Sequence, residues 1–385
     1  MEKLYFTEEH VMLRDMVREF AQNEVKPIAR EIDASGRFPR ETVGKMAELG
    51  LMGIPWEEKY GGTGMDTMAL VIAIEELGKV CPSTAATMMA HTSLGSGPIA
   101  AFGTEAQKQK YLTKLASGKM IGAFGLTEPN AGSDAGNTQT RAVRDGDEFV
   151  VNGQKAFCTN AGEAGIIIFT AKLIEDGVDK GISAFIVEAG APGLSLGEPE
   201  KKMGWKASDT RSVYFEDMRV SAENILGNPA QGFKQFLRTL TGGRITIGAL
   251  SLGTAQGGYD AALRYSQERE AFGKAINKFQ GVSFKLSDMA TEIQAAKHLV
   301  YHAAWLKDNG HDVIKEAAMA KLFASEMAMR VTTEAIQVHG GYGYIKEYDV
   351  ERFFRDAKIL EIGEGTSEIQ RIIISREILK SVSAA

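Results

Sequence analysis

Two regions of helical periodicity enclose residues 121–226, whose texture is different, and this alternation limits the folds open to the chain. Thr7 can cap a helix in which Val11, Met16, Val17, Phe20 and Ala21 recur at helical spacing, and Val43, Met46, Leu49 and Leu51 repeat the pattern. Gly61-Gly62 breaks it. Helical segments then run from Met68 to Val80 and from Ser83 to about Phe102, followed by a charged segment, Thr104 to Ala116, closed by Gly118. From Ile121 to Leu226 the apolar residues gather into short β-forming runs: Phe149-Val150-Val151, Ile166 to Phe169, Ile182 to Val187 and Val213-Tyr214-Phe215. Asp145-Gly146, Asn152-Gly153, Asp176-Gly177 and Pro192-Gly193 separate them, and Asn228-Pro229 marks the exit. Beyond it Leu286, Met289, Ile293, Ala296, Val300 and Ala303 step by threes and fours, and Ile314, Ala318, Leu322, Met329 and Ile336 keep one face of a second long helix. The pattern predicts an α+β, mostly α, protein. Its expected parts are an N-terminal helical domain over 1–120, a middle antiparallel β domain over 121–228 and a C-terminal helical bundle over 229–385.

Composition then excludes several function classes. A hydrophobic content of 44% over 385 residues can bury a large core. The net charge of −6, without a long basic run, offers nothing to nucleic acid or to an anionic membrane surface, and no apolar run reaches spanning length. Cys81 and Cys158 make no disulfide framework and lack metal-ligand spacing, which fits a reducing compartment. The first nine residues have no signal-peptide hydrophobic stretch and are too acidic for a transit peptide, so the expected location is the cytoplasm, or the mitochondrial matrix if a transit peptide has been removed.

The chemistry-bearing stretch lies near the end. Ser367 with Gln370 three residues on reads as a capping box before the apolar Ile369, Ile372, Ile373 and Ile378, which places Glu364 in the turn ahead of a helix. Gly363 and Gly365 flank it and leave room for another molecule beside its carboxylate. Such a Glu serves either as a general base or as a complement to the positive end of the helix dipole.

Other motifs are weaker. Gly95-Ser96-Gly97-Pro98-Ile99-Ala100 has a dinucleotide-fingerprint spacing but follows no β-strand, so a nicotinamide fold is rejected. His298 and His302 have zinc-pair spacing without a Glu between them or a third ligand nearby. Gly340-Gly341-Tyr342-Gly343 either cradles a phosphate or ends the helix at His339. The loop Ala123 to Asp134 combines hydroxyls, glycines and a proline; it either presents N–H and hydroxyl groups to a heteroaromatic ring or a pyrophosphate, or is a plain surface loop.

Taken together, five pieces resemble the acyl-CoA dehydrogenase family, in family order and over nearly the whole chain. They are Leu126-Thr127-Glu128-Pro129-Asn130-Ala131-Gly132-Ser133-Asp134, Lys155-Ala156-Phe157-Cys158-Thr159-Asn160, Glu268-Arg269-Glu270-Ala271-Phe272-Gly273-Lys274, Gln337-Val338-His339-Gly340-Gly341-Tyr342-Gly343 and Glu364-Gly365-Thr366-Ser367-Glu368-Ile369-Gln370. The resemblance implies a four-helix C-terminal bundle, FAD held between it and the β domain, and a homotetramer. Phe124 to Ser133 would wrap the flavin pyrimidine and the cofactor's phosphates, with Leu126 and Thr127 facing the ring and Ser133 also near the CoA. Phe157, Cys158 and Thr159 would lie along the isoalloxazine. Arg269, Phe272, Gln280 and Gln337 to Gly341, including Gly340, would serve the adenosine diphosphate half of a neighbouring subunit's FAD, where an Arg fork suits a pyrophosphate. Thr366 to Glu368 would also contact FAD.

By the same resemblance Glu364 removes the proton next to a thioester carbonyl and the β-hydrogen leaves as hydride to the flavin. The products are a trans-2-enoyl-CoA and reduced FAD, whose electrons pass to an electron-transfer flavoprotein. A dry pocket should raise the carboxylate's pKa toward neutrality. Isovaleryl-type members carry the base in the residue before the Arg of Thr241-Gly242-Gly243-Arg244; here that residue is Gly243, so no second base competes. Thr241, Gly242 and Arg244 would line the acyl-CoA channel, unless Arg244 is merely structural. Gly363 replaces a frequent Tyr and, with Gly365, opens space for a branched or alicyclic acyl group, while short straight chains stay possible because the pattern is nearest the short-chain subgroup. Ser83 to Met89 lacks the basic residue of glutaryl-type members. The rival readings are a flavin-dependent acyl-CoA oxidase or monooxygenase on the same scaffold, and a non-catalytic helical binding protein.

Overall fold

The structure, a computed structural model, describes residues 2–383, with side chains from Leu4 to Lys380. Helix α1 (Glu8–Phe20) begins at Thr7 as expected. Thr7 Oγ1 accepts the His10 amide and His10 Nδ1 accepts the Thr7 amide, so a histidine closes the capping box. Its buried face packs on α2 (Thr67–Gly78). Leu49, expected in the core, instead terminates its helix at the surface. The helix predicted from Ser83 to Phe102 is α3 (Pro82–Met89) continued through a π-helical turn, Ala90–Ser96, into a last α-turn, Gly97–Phe102.

That turn meets strand β1 (Ile121–Gly125) so closely that a Cβ on Gly95 would stand 2.5 Å from the Gly122 carbonyl carbon. Backbone contact, not a dinucleotide, accounts for Gly95. His91 in the same turn accepts the Gly122 amide at Nδ1, so its Nε2–H donates to Leu115 O at 3.1 Å; burial pushes its pKa down to about 4 and keeps it neutral.

The other strands are β2 (Arg141–Asp145), β3 (Glu148–Thr159), β4 (Ala164–Glu175), β5 (Val178–Glu188), β6 (Leu194–Leu196), β7 (Thr210–Ser221) and β8 (Ile225–Leu226). They form one sheet in the order β6–β7–β3–β2–β4–β5–β8, with β1 beside β4. Five of the seven pairings are antiparallel, but β1 and β2 both run parallel to β4, along successive stretches of it. The loop 126–140 makes this possible by carrying the chain back so that β2 continues in the direction of β1. β2 and β6 are short and mostly exposed, and left no apolar run in the sequence.

Helices α4 (Gly232–Glu268), α5 (Gln280–Asp308), α6 (Ile314–His339), α7 (Val350–Ala357) and α8 (Ser367–Ser383) complete the chain. The α5 stripe is buried as expected. On α6 Ala318 is buried as expected, but the buried face otherwise consists of Ala317, Ala320, Ala324, Met327, Ala328, Val331, Ala335 and Val338, and the larger Ile314, Leu322, Met329 and Ile336 lie half-buried on its flank. Packing against the glycine-rich α4 explains the shift: a Cβ on Gly258 would stand 3.4 Å from Thr332 Cγ2 and 3.7 Å from Ala335 Cβ of α6, so close helices favour small facing residues. One hydrophobic core joins the N-terminal helices to the bundle, the sheet has its own, and a third, around Tyr111, Leu115, Ile166, Ile186 and Phe236, seals helices to sheet. Among the described residues no helix is long and apolar enough to cross a membrane.

Candidate active site

Helix α7 leads through a 3-10 turn, Lys358–Glu361, into the residues that precede α8. There Glu364 (φ 53°) and Gly365 (φ 95°) are left-handed, a conformation that costs a non-glycine residue about 1 kcal/mol or more and persists only when its surroundings enforce it. Two buried side chains do so. Lys321 Nζ donates to Gly365 O at 2.8 Å; Gln370 Nε2 donates to the same oxygen at 2.8 Å and to Glu364 O at 3.3 Å. The expected capping box therefore does not form, and a one-sided cap at Thr366 replaces it. Thr366 Oγ1 accepts the Ile369 amide, Ser367 Oγ is unpartnered, and Gln370 is drawn to the two inward carbonyls, which need donors more than the helix end does.

Both carboxylate oxygens of Glu364 are buried without a hydrogen-bond partner. The carboxylate lies against Gly243 of α4, where a Cβ would collide with Oε2. Arg244, the next residue, is buried; its Nη1 donates to Thr241 Oγ1 at 3.3 Å and its Nε is unpartnered. Burial raises the Glu364 pKa to about 7, against the opposing pull of Lys321 and Arg244. A buried carboxylate with no partner in the protein, titrating near neutrality, is suited to accept a proton. Beside it, a Cβ on Gly363 would meet only Ile359 O, at 3.4 Å, so that side is open. Gly243→Ala should push the carboxylate aside and slow any proton transfer it performs about 100-fold, read by stopped-flow flavin bleaching. An unchanged rate would show that the carboxylate does not need that space.

On the sheet side, the loop after β1 carries Leu126 and Thr127, half-buried, and Ser133, exposed. It is pinned from below. Glu128 Oε1 accepts from Lys155 Nζ at 2.6 Å, from Thr138 Oγ1 and from the Thr140 hydroxyl and amide, while Oε2 accepts the Gln139 amide. Ala156 N donates to Thr127 O at 2.7 Å. The Phe124 ring stacks on Phe236 of α4 at 4.2 Å, and Gly136 faces Phe233, so the loop confronts the first turns of the helix that later supplies Gly243 and Arg244. At a bulge in β3, Phe157 (φ 56°) stands 66% exposed. The Cys158 side chain is turned into the sheet core, where burial pushes the thiol up to about 12. Only its backbone is available. Thr159 is half-buried opposite Thr210, Thr366 is half-buried, and Glu368 is exposed.

The remaining expected residues lie elsewhere. Arg269, Gln337, Gly340 and Gly341 line a cleft of about 580 Å³ with Tyr265, His339 and Tyr342. Gly340 (φ 60°) both ends α6 and borders this cleft. Phe272, 95% exposed, tips the small hairpin of β9 (Glu270–Ala271) and β10 (Lys274–Ala275), and Gln280 opens α5 at the surface. Arg244 and Arg269 are separated by about 37 Å of helix rise.

Lys321 and the Glu128–Lys155 pair were not foreseen from the sequence, and Gln370 was placed in a cap, not against the Glu364 and Gly365 carbonyls. Lys321 had a signal, a charge at i+4 from Ala317 inside the alanine stripe of α6.

Family models described as acyl-CoA dehydrogenase, N-terminal, middle and C-terminal domain, match residues 7–119, 123–218 and 230–379. The chain is 52% identical over 374 residues to the "Acyl-CoA dehydrogenase, short-chain specific" of Clostridium acetobutylicum, covering 97% of this chain and 99% of the relative. It superposes on butyryl-CoA dehydrogenase from Megasphaera elsdenii with a TM-score of 0.94 at 44% identity, covering 97% and 99% of the two chains. A chain solved in work on the electron transferring flavoprotein of Acidaminococcus fermentans and flavin-based electron bifurcation gives 0.95 at 48% identity, covering 97% and 98%. Members of the matched family are FAD-dependent. The buried, unpartnered Glu364 carboxylate and its surroundings thus sit in a chain that belongs to the acyl-CoA dehydrogenase family.

Proposed function

We propose that the protein oxidises a short-chain acyl-CoA thioester to the trans-2-enoyl-CoA, with Glu364 as the base and FAD as the cofactor, and passes the electrons to an electron-transfer flavoprotein. The observation that carries this reading is the Glu364 carboxylate: buried, unbonded, raised to about 7 and lodged in a gap that only a glycine at 243 leaves. Glu364 takes the proton from the carbon beside the thioester carbonyl. FAD, when bound, supplies the acceptor for the hydrogen leaving the β-carbon. The short-chain and butyryl-CoA relatives support the acyl class.

The residues present fit the cofactor. Phe124, Leu126, Thr127 and Ser133 belong to a loop rigidly fixed by Glu128 and Lys155, Phe157 is presented by a strained backbone at a bulge with Cys158 and Thr159 behind it, and Thr366 and Glu368 open α8. Arg269, Phe272, Gln280, Gln337, Gly340 and Gly341 suit a diphosphate and its nucleoside, with an exposed guanidinium beside a cleft bordered by two glycines without side chains. The helix rise of about 37 Å separating these residues from Arg244 supports their serving a neighbouring subunit's FAD, and so an oligomer, with which the homotetramer is consistent. The half-buried Met329 and Ile336 on the α6 flank fit subunit contacts. The division at about residues 120 and 228 is part of the same reading; β1 begins at Ile121 and α4 at Gly232. Thr241, Gly242 and Arg244 would flank the CoA thioester, and Gly363 and Gly365 would admit bulk at the acyl end.

Anaerobic titration with straight, branched and alicyclic short acyl-CoAs, following flavin bleaching, tests this. Bleaching by butyryl-CoA is expected, and none by any of the panel would end the reading. In Gly363→Tyr, bleaching by branched or alicyclic thioesters should fall about tenfold or more relative to butyryl-CoA. Equal effects on all would show that Gly363 does not face the acyl group.

A further inference from the structure

The Glu364 turn is held by a charge that proton transfer alone leaves unexplained. Lys321 lies within the buried face of α6, its side chain wholly removed from water, and its Nζ donates to Gly365 O. Burying an ammonium is costly, and a neutral donor could serve that carbonyl, as Gln370 Nε2 does at the same 2.8 Å. The positive charge therefore needs its own account.

The charges around Lys321 give one. Glu364 faces it from the turn before α8, Arg244 from α4, Glu361 from the 3-10 turn and Glu326 from α6 itself; Arg376 of α8 acts in turn on Arg244. Glu361 is bonded to Lys358 and Glu326 to Arg371. Of these three carboxylates only Glu364 has both oxygens buried and unbonded. We propose that Lys321 is a positioning residue for the dehydrogenation: through Gly365 O it fixes the turn that aims Glu364, and its charge keeps that carboxylate ionised in a dry pocket. This rests on Glu364 being the base. Burial lowers Lys321 to about 8 with Glu364 as the largest opposing influence, so at neutral pH the ammonium is still mostly charged. Lys321 is likewise the larger of the two charges holding Glu364 down, Arg244 being the other. Without it the base ionises at higher pH.

The test uses FAD-loaded Lys321→Gln and Lys321→Met beside Glu364→Gln, following anaerobic bleaching by butyryl-CoA from about pH 5.5 to 9. Gln keeps a donor without the charge; Met removes both. In both variants the acid limb of the rate should move up by about one pH unit or more. A merely structural role would lower the plateau rate and the melting temperature while leaving the limb at the parent pH, and that outcome in Lys321→Gln overturns the proposal even if Lys321→Met does not fold. Glu364→Gln separates the two assignments. If it bleaches at near-parent rate, the base assignment fails; if it is inert while Lys321→Gln keeps the parental limb, only the role of Lys321 fails.

Discussion

Glu364→Gln should fold, bind FAD and bind butyryl-CoA, yet bleach at least about 1,000-fold more slowly than the parent protein, because an amide of nearly the same shape cannot take the proton. The expected loss is large because the structure offers no substitute. The position that could carry a second carboxylate is Gly243, and the nearest ionisable groups acting on Glu364 are the cations Lys321 and Arg244. The same substitution has a second signature. In the parent, the rate should fall as pH drops through about 7, where Glu364 becomes protonated. For stability the sign is set by a folded-state pKa raised from 4.5 to about 7: the folded form holds this proton more tightly, so its contribution is fully present below about 4.5 and is lost as pH rises through about 7. Glu364→Gln removes that decline, and urea titrations near pH 5 and pH 8 should show the variant gaining on the parent at the higher pH. Near-normal bleaching, or pH-dependent stability indistinguishable from the parent's, would remove Glu364 from the role of base.

How far the sequence reached depends on what kind of contact each residue makes. The α5 stripe was legible because its large apolar residues face a core at helical spacing. The α6 stripe, apart from Ala318, was misplaced because much of the buried contact is made by alanines, which carry little hydrophobic signal, against a glycine-rich neighbour that no local pattern reveals. The parallel placement of β1 and β2 depends on where loop 126–140 returns the chain, a tertiary fact. Glu364 could be singled out from its glycine-flanked turn. Its raised pKa could not, since that comes from burial against a glycine at 243, which outweighs the opposing pull of Lys321 and Arg244, 43 and 120 residues earlier. For Cys158 the motif gave the position but not the direction of the side chain, which is turned inward.

The Glu128–Lys155 pair is where a single change should cost most stability. Side-chain exposure is 0% for Lys155 and 3% for Glu128, and the carboxylate collects donors from one lysine, two threonine hydroxyls and two amides. Lys155→Met leaves that carboxylate buried without its cation, which should cost about 3–5 kcal/mol by urea denaturation of the apoprotein. Glu128→Gln keeps the shape but strands the ammonium, and should cost a comparable amount. The double variant removes both charges, so its cost should fall well short of the sum, with a coupling of about 1–3 kcal/mol. A pH dependence follows from the same network. Burial would raise Glu128, but the Lys155 ammonium and the hydroxyl and amide donors outweigh it and hold the carboxyl at about 2, so the stability this group contributes is present above about 4.5 and is lost as pH falls toward 2. Because Lys155 Nζ also reaches Leu126 O and Ala156 N holds Thr127 O, the pair anchors the loop assigned to the flavin, and Lys155→Met should weaken FAD binding as well as folding. Strictly additive single costs, or a loss of stability with FAD affinity unchanged, would mean that the pair supports the sheet without organising the loop.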